Sequence, residues 1–260
     1  MWFGLESLMQ IDTKLPDWIL LLGILISLMF ALMMIYFARK SSSRAKSLDA
    51  SFIYIVYALA RAVEAKEEET GNHILRVGEF CALIAQNLGM PKQFVNDIRI
   101  QSVLHDIGKI HIPNHILRKP QALTPDEWEL MKKHTAYGAV IIGNHQRLKI
   151  GKNIALTHHE KWDGSGYPCG LKGEAIPLEG QIIGIADIYD ALRSPRPYKP
   201  GYDHKTAFKI ITEGDDRIKP THFSPRVLNA FKEVEASFEE TYDKMKDIDA
   251  AKEFEKNLCL

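Results

Sequence analysis

Cysteine is scarce in this sequence, and neither sign of charge is in excess. The three cysteines, Cys81, Cys169 and Cys259, lie far apart, and no two have C-x-x-C spacing. We therefore expect neither a disulfide framework nor a thiolate zinc site, and a reducing compartment fits. Lysine plus arginine and aspartate plus glutamate number 33 each. This balance argues against a protein that coats a nucleic-acid polymer.

Alternating strand patterns and internal repeats are also missing. Apolar residues instead recur at helical spacing, for example in segments 49–65, 73–88 and 92–104. The Thr-Pro-Asp-Glu run at 124–127 is a capping box with proline at the first helical position, which predicts the start of another helix. Segment 162–180 is rich in glycine and proline and is predicted to be a structured loop. We therefore predict an all-α fold.

One long apolar run lies near the N-terminus. Residues 18–38 carry no charge, and as a helix they would span the roughly 30 Å of a bilayer core. A cleaved signal peptide and a buried core helix are the alternatives; the run is longer than a signal-peptide core, and no A-x-A site follows it. Arg39, Lys40, Arg44 and Lys46 come directly after the run, so we expect the C-terminal side in the cytoplasm.

This reading predicts five consecutive segments. They are a short extracytoplasmic N-terminus (1–17), a transmembrane anchor (18–38), a basic linker (39–50), one large domain (51–235) and a charged C-terminal helix (236–260). We interpret the last segment as a solvated amphipathic helix. A dimerisation helix is the alternative, although its apolar seam is thin. The sequence therefore leaves a homodimer as an alternative to a monomer.

Imidazoles and carboxylates occur as neighbours or at helical spacing in several of the predicted helices. The residues concerned are Glu69 and His73, His105 and Asp106, His134, His158 and His159, and Asp187 and Asp190. An isolated His-Asp pair is more often a core histidine beside a capping aspartate. Taken together, these residues predict a common centre of nitrogen and oxygen ligands, which suits Fe, Mn, Ni or Zn. Two or more such ions can clamp a phosphodiester and activate water, and Lys109 is well placed to neutralise a phosphate.

The order of these residues matches a known pattern. The matching segments are ETGNHILRV at 69–77, HDIGK at 105–109, HHEKWDGSGYP at 158–168, ADIYDAL at 186–192 and RPYK at 196–199. Over roughly residues 50–232 the chain resembles the HD-GYP family of cyclic di-GMP phosphodiesterases. The resemblance implies an HD-type helical bundle, which the predicted transmembrane helix would anchor in a bacterial inner membrane. It also implies cyclic di-GMP as substrate and the linear dinucleotide or GMP as product.

The resemblance also implies a role for individual residues. It assigns metal ligation to His73, His105, Asp106, His134, His158, His159 and Asp187, and a third ion to the Glu69 carboxylate. It assigns substrate phosphates to Lys109, Arg196 and Lys199, and catalysis to Asp106 and Lys109. Two or three divalent ions, with Fe or Mn favoured over Ni or Zn, would follow. The loop with Gly166, Tyr167 and Pro168 either orders the His158-His159 segment or contacts partners such as diguanylate cyclase domains.

Other functions and residue roles stay open at this level. The chain could be a cyclic dinucleotide receptor or interaction platform with little turnover, or an HD-type hydrolase of other nucleotides. The sequence does not decide between cyclic di-GMP and cyclic GMP-AMP. We interpret Glu160 and Asp163 as groups that orient the imidazoles. His115, His145 and His204 are interpreted as surface residues.

Overall fold

Helices and short 3-10 turns form all the regular structure in residues 17–67, 72–195 and 200–246, which are the residues that the computed structural model describes. The all-α prediction is therefore confirmed. The helices are α1 (Asp17–Glu67), α2 (Asn72–Asn87), α3 (Lys92–Gln101), α4 (Asn114–Leu117), α5 (Pro125–Lys132), α6 (His134–Ile142), α7 (Lys149–Thr157), α8 (Leu178–Arg193), α9 (His204–Glu213), α10 (Pro225–Glu233) and α11 (Glu235–Met245). The 3-10 turns are Ser102–Leu104, Ile107–His111, Gln146–Leu148, Gly173–Ala175 and Pro220–His222.

The chain divides into two compact units, Met1–Phe52 and Ile53–Leu260. In the first unit, α1 contains a window with a mean hydropathy of 2.7 that is not buried at all. By length and composition this helix can cross a membrane. The predicted basic linker at 39–50 is helical and continues α1. The segment contains no proline or glycine that would end the helix.

The second unit begins with the last turns of α1, which are part of its core. Val56, Ala60 and Val63 each keep only 3% of their surface exposed. Further along, the Lys66 Nζ donates hydrogen bonds to the carbonyl oxygens of Lys109, Ile110 and Ile112, at 3.2, 2.9 and 2.6 Å. A lysine in this position satisfies carbonyls that the end of a short helix leaves free. The end of α1 thus fixes the segment that follows His105 and Asp106.

An aromatic cluster forms the centre of the core, where α2 packs against α8 and α11. Phe80 stacks on Phe238 with ring centroids 4.5 Å apart, and Tyr189 meets both rings edge-on at 5.1 Å. The prediction of a separate solvated helix from residue 236 is therefore wrong. Phe238 is fully buried and Tyr242 nearly so, because α11 turns its apolar face toward α2. Residues 247–260 lie outside the described part of the chain.

One histidine also departs from the sequence interpretation. His115 and His145 are exposed as expected, but His204 is 95% buried. The Asp203 carboxylate caps α9 by accepting a hydrogen bond from the Thr206 amide at 2.8 Å. This cap starts the helix at His204, whose Nδ1 lies 2.8 Å from the Tyr189 hydroxyl.

Candidate metal centre

All the predicted metal ligands within the described residues converge in two groups. The first group is Asp106, His134, His158 and His159, and the second is His73, His105 and Asp187. Within each group the candidate ligand atoms all lie within 4.8 Å of one another. The ligands come from the start of α2, the turn after α3, the start of α6, the end of α7 and the middle of α8. Glu69 lies outside the described residues.

The Asp106 carboxylate lies between the two groups. Its Oδ1 is 3.3 Å from His134 Nε2 and 3.6 Å from His158 Nε2. Its Oδ2 is 3.1 Å from His105 Nε2 and 2.7 Å from Lys109 Nζ. One carboxylate oxygen therefore faces each group. On the far side of the second group, Asp187 Oδ1 lies 3.6 Å from His73 Nε2.

Close backbone packing places Asp106 beside the histidine at the start of α6. A Cβ atom on Gly108 would overlap the His134 carbonyl oxygen and the Gly138 amide. Only glycine lets the 3-10 turn after Asp106 approach α6 this closely. The glycine of the HDIGK segment is thus a packing requirement of the site.

The Nδ1 atoms of four of these histidines each lie near an acceptor. The contacts are His73 to Asp190 Oδ2 (2.8 Å), His105 to Ser102 O (3.0 Å), His134 to Met131 O (2.7 Å) and His158 to Ile154 O (3.1 Å). A carbonyl or carboxylate oxygen can only accept, so Nδ1 carries a proton, and in the neutral imidazole Nε2 then carries a lone pair. Such Nε2 atoms face each other at 3.2 Å between His134 and His158, and at 3.4 Å between His73 and His105.

Burial and charge favour the protonation states that bind metals at His134, His159 and Asp106. Burial lowers the pKa of His134 to about 4, and burial together with neighbouring His158 holds the pKa of His159 well below its usual range. Burial alone would raise the pKa of Asp106, but Lys109 and His105 hold it well below its ordinary value. His105 differs, because the neighbouring Asp106 carboxylate raises its pKa although burial opposes this, and the protonated imidazole is favoured while no cation is bound. A divalent cation requires neutral imidazoles beside an ionised carboxylate, so its binding to His105 would release that proton.

These residues fit a pair of divalent ions. Asp106 Oδ1 is buried and makes no hydrogen bond with the described residues, and facing nitrogen lone pairs repel each other unless a cation lies between them. The donor set is imidazole and carboxylate without thiolate, which suits Fe, Mn, Ni or Zn. Lys109 is close enough to neutralise an oxygen anion at the same place.

An ion pair behind the centre was not predicted from the sequence. Asp190 is fully buried, and its Oδ1 lies 2.5 Å from the Nε of Arg76. Its Oδ2 accepts from His73 Nδ1 at 2.8 Å, so the carboxylate fixes the orientation of that imidazole. The sequence contained one signal for it, because a carboxylate in an apolar helix is costly unless it is paired. The partner, on α2, was not identifiable.

The Gly-Tyr-Pro loop packs directly on the first group. The centroid of the Tyr167 ring lies 4.7 Å from that of the His159 ring. The backbone amide of Tyr167 donates a hydrogen bond to the His159 carbonyl oxygen at 3.2 Å. Gly166 has no room for a side chain, since a Cβ atom would overlap the Lys161 amide and the Glu160 Cα. This arrangement supports the interpretation that the loop orders the His158-His159 segment.

Glu160 and Asp163 hold the loop rather than the imidazoles of the two ligand groups, which corrects that interpretation. The Glu160 carboxylate accepts from the amides of Cys169 and Leu171 at 2.7 and 3.0 Å. The Asp163 Oδ1 accepts from the Ser165 amide and hydroxyl at 3.0 and 2.6 Å. Both carboxylates hold the loop closed on itself. Arg196 and Lys199 lie outside the described residues, so their phosphate-binding roles stay predictions.

Comparison with known proteins identifies the same region. The model of the HD domain family matches residues 57–221. A protein of Thermotoga maritima named cyclic di-GMP phosphodiesterase is 44% identical over 190 residues, which cover 72% of this chain and 50% of that protein. A protein of Vibrio cholerae named 3'3'-cGAMP-specific phosphodiesterase 2 is 43% identical over 177 residues, which cover 67% of this chain and 33% of that protein. The chain thus spans half or less of the length of these relatives.

A solved structure shares the fold. It is described as a cyclic GMP-AMP specific phosphodiesterase of Vibrio cholerae, and it aligns with a TM-score of 0.57 at 16% identity. The alignment covers 78% of this chain and 52% of that one. At this level of identity the likeness concerns the arrangement of helices.

Proposed function

The chain belongs to the HD-GYP family within the HD domain proteins, and on this basis we propose that it is a metal-dependent phosphodiesterase that hydrolyses cyclic di-GMP. The observation that carries the proposal is the position of Asp106, whose two carboxylate oxygens face the two ligand groups. A carboxylate shared in this way holds two cations close enough to act on one phosphate. Products would be the linear dinucleotide, GMP or both.

The proposed roles follow from the side chains around Asp106. His134, His158 and His159 would hold one ion, and the second group would hold the other. Bound ions of this kind polarise phosphoryl oxygens and lower the pKa of water. Lys109, at 2.7 Å from Asp106, binds a phosphate oxygen of the substrate and offsets its charge.

Two cyclic dinucleotides, which differ in one of their two bases, are candidate substrates. Relatives named for cyclic di-GMP and for 3'3'-cGAMP are 44% and 43% identical to this chain, so overall similarity does not separate them. Cyclic di-GMP is the proposed substrate, and 3'3'-cGAMP is the second candidate. Both carry the 3'–5' phosphodiester that the centre would cut.

Membrane attachment and partners belong to the same proposal. The apolar helix α1 would anchor the chain in the inner membrane as a single span, with the catalytic unit in the cytoplasm beside the basic residues that follow residue 38. The Gly-Tyr-Pro loop is a candidate contact for diguanylate cyclase domains, and a homodimer is the proposed arrangement if two anchors associate. Membrane fractionation tests the anchor, and pull-down experiments test the two proposed associations.

The test is turnover of cyclic di-GMP and 3'3'-cGAMP by the full chain, purified anaerobically in detergent and loaded with Mn or Fe. The His105→Ala/Asp106→Ala double variant runs beside it, and Asp216→Asn is the control, because Asp216 is exposed in the loop after α9 and belongs to neither ligand group. We expect hydrolysis by the wild type and the control and none by the double variant.

The alternatives predict different results. Tight binding of cyclic di-GMP by the metal-loaded wild type without hydrolysis would indicate that the chain is a receptor and not an enzyme. Hydrolysis of deoxynucleoside triphosphates in preference to cyclic dinucleotides would indicate another class of HD hydrolase.

A further inference from the structure

A cleft opens beside the metal centre. It is open to solvent on one side, and residues of the loop after α7 and of α8 line much of it. His159 from the first ligand group and Asp187 from the second both line it. A phosphate held between the two groups would therefore have its attached sugar and base at the entrance of this cleft.

The walls of the cleft have the chemistry of a nucleobase site. Trp162, Ile188 and Phe223 supply an aromatic and apolar lining. Gln181 lines it as well, and its Nε2 donates to the Ile176 carbonyl oxygen at 2.7 Å. Because that carbonyl can only accept, the amide orientation is fixed and Oε1 remains as an acceptor. Flat bases stack on aromatic side chains, and their ring and exocyclic N–H groups need acceptors.

One glycine in the cleft is not explained by packing. Gly184 lies inside α8, where glycine is the poorest helix former after proline. A Cβ atom there would meet only the His158 carbonyl oxygen, at 3.8 Å, which is ordinary contact. Gly180, one turn earlier, differs, because a Cβ atom would overlap the Thr157 hydroxyl. The fold requires glycine at position 180, whereas at position 184 the missing side chain leaves open space in the cleft.

We propose that this cleft binds one purine base of the cyclic dinucleotide and that Gly184 determines substrate access by keeping it open. The inference rests on the proposed function and goes beyond it, because it assigns a base site to residues of the loop after α7, of α8 and of the segment before α10. The base stacks between the apolar walls while its phosphate lies at the centre. A side chain at position 184 would occupy the space of the base.

The test measures binding of a bis-phosphorothioate analogue of cyclic di-GMP, which resists hydrolysis, to the Mn-loaded full chain by calorimetry. The variants are Gly184→Ala and Gly184→Leu. Ala236→Leu is the control, since it adds similar apolar bulk at an exposed position of α11. Inorganic phosphate is the second probe, because it binds the centre without a base. Metal content and melting temperature are recorded for each protein.

We expect the leucine variant to bind the analogue about tenfold more weakly or worse, the alanine variant to fall between it and the wild type, and phosphate affinity to stay level. Equal analogue affinity in all proteins would overturn the proposal. So would a parallel loss of phosphate and analogue affinity, which indicates a damaged centre. If the wild type binds but does not hydrolyse cyclic di-GMP, the graded loss still supports the base site, and only the proposed activity fails.

Discussion

Asp190 and Arg76 form a buried, two-pronged ion pair, with Asp190 Oδ1 2.5 Å from Arg76 Nε and Oδ2 2.8 Å from Nη2. The same Oδ2 accepts from His73 Nδ1, at the back of the second ligand group. The pair thus connects the core between α2 and α8 to the metal centre. Its two members have separable consequences for stability and for metal binding.

Arg76→Ala should destabilise the protein severely. It would leave the Asp190 carboxylate buried without its cation, which costs roughly 3–5 kcal/mol. Urea unfolding followed by circular dichroism measures the loss. Arg99→Ala is the matched control, because Arg99 pairs with Glu79 where both side chains are about a third exposed, and it should cost about 1 kcal/mol or less. Equal losses in the two variants would contradict the account.

Asp190→Asn should weaken metal binding at the second group. The amide is isosteric but uncharged, so it holds the His73 imidazole less firmly and makes it a poorer ligand. Groups of this kind change metal affinity by about 10- to 100-fold. Competition with a chromophoric chelator measures the affinity. Asp243→Asn is the control, because the Asp243 side chain is half exposed and its ion partner is Arg193, and the variant should bind metal as tightly as the wild type does. An unchanged affinity in Asp190→Asn would rule out this role.

Gly166→Ala should disturb the loop over the first group. Its Cβ atom would overlap the backbone at Glu160 and Lys161, so the loop must move and the Tyr167 ring loses its contact with His159. We expect a cost of about 2 kcal/mol or more in the free energy of unfolding. Thermal melting of the metal-loaded protein measures it, beside Ser165→Ala in the same loop. A melting point equal to that of Ser165→Ala would show that the loop is not packed as described.

Phe238→Ala should show that α11 is part of the domain core. The ring is fully buried against Phe80 and Tyr189, and the deletion of such a ring costs about 3–5 kcal/mol. Glu239→Ala, at the exposed neighbouring position, should change stability by less than about 0.5 kcal/mol. If both variants have the melting temperature of the wild type, α11 is a peripheral helix and not part of the core.

The helical class and the residues that meet at the centre could be predicted from the sequence. A histidine directly beside an aspartate or another histidine can be recognised in the sequence, as in the HDIGK and HHEKWDGSGYP segments. The grouping could not be predicted, because it depends on how the ends of α3 and α7 meet the start of α6. That the Asp106 oxygens point to different groups is visible only in three dimensions.

The errors have physical causes of the same kind. Mixed charge in the last segment predicted a solvated helix, but Phe238 and Tyr242 lie four residues apart on one face and bury it. Glu160 and Asp163 were assigned to imidazoles because of sequence proximity, yet loop amides are their partners.

The central claim is that the two groups joined by Asp106 act as one centre for two ions. The most direct test adds Mn stepwise to the metal-free full chain under anaerobic conditions and measures both bound metal per chain and the rate of cyclic di-GMP hydrolysis. We expect little hydrolysis with one ion bound and a steep rise in the rate as the second ion binds. Full activity with a single ion per chain, or with the second group emptied by a His73→Ala substitution, would contradict it.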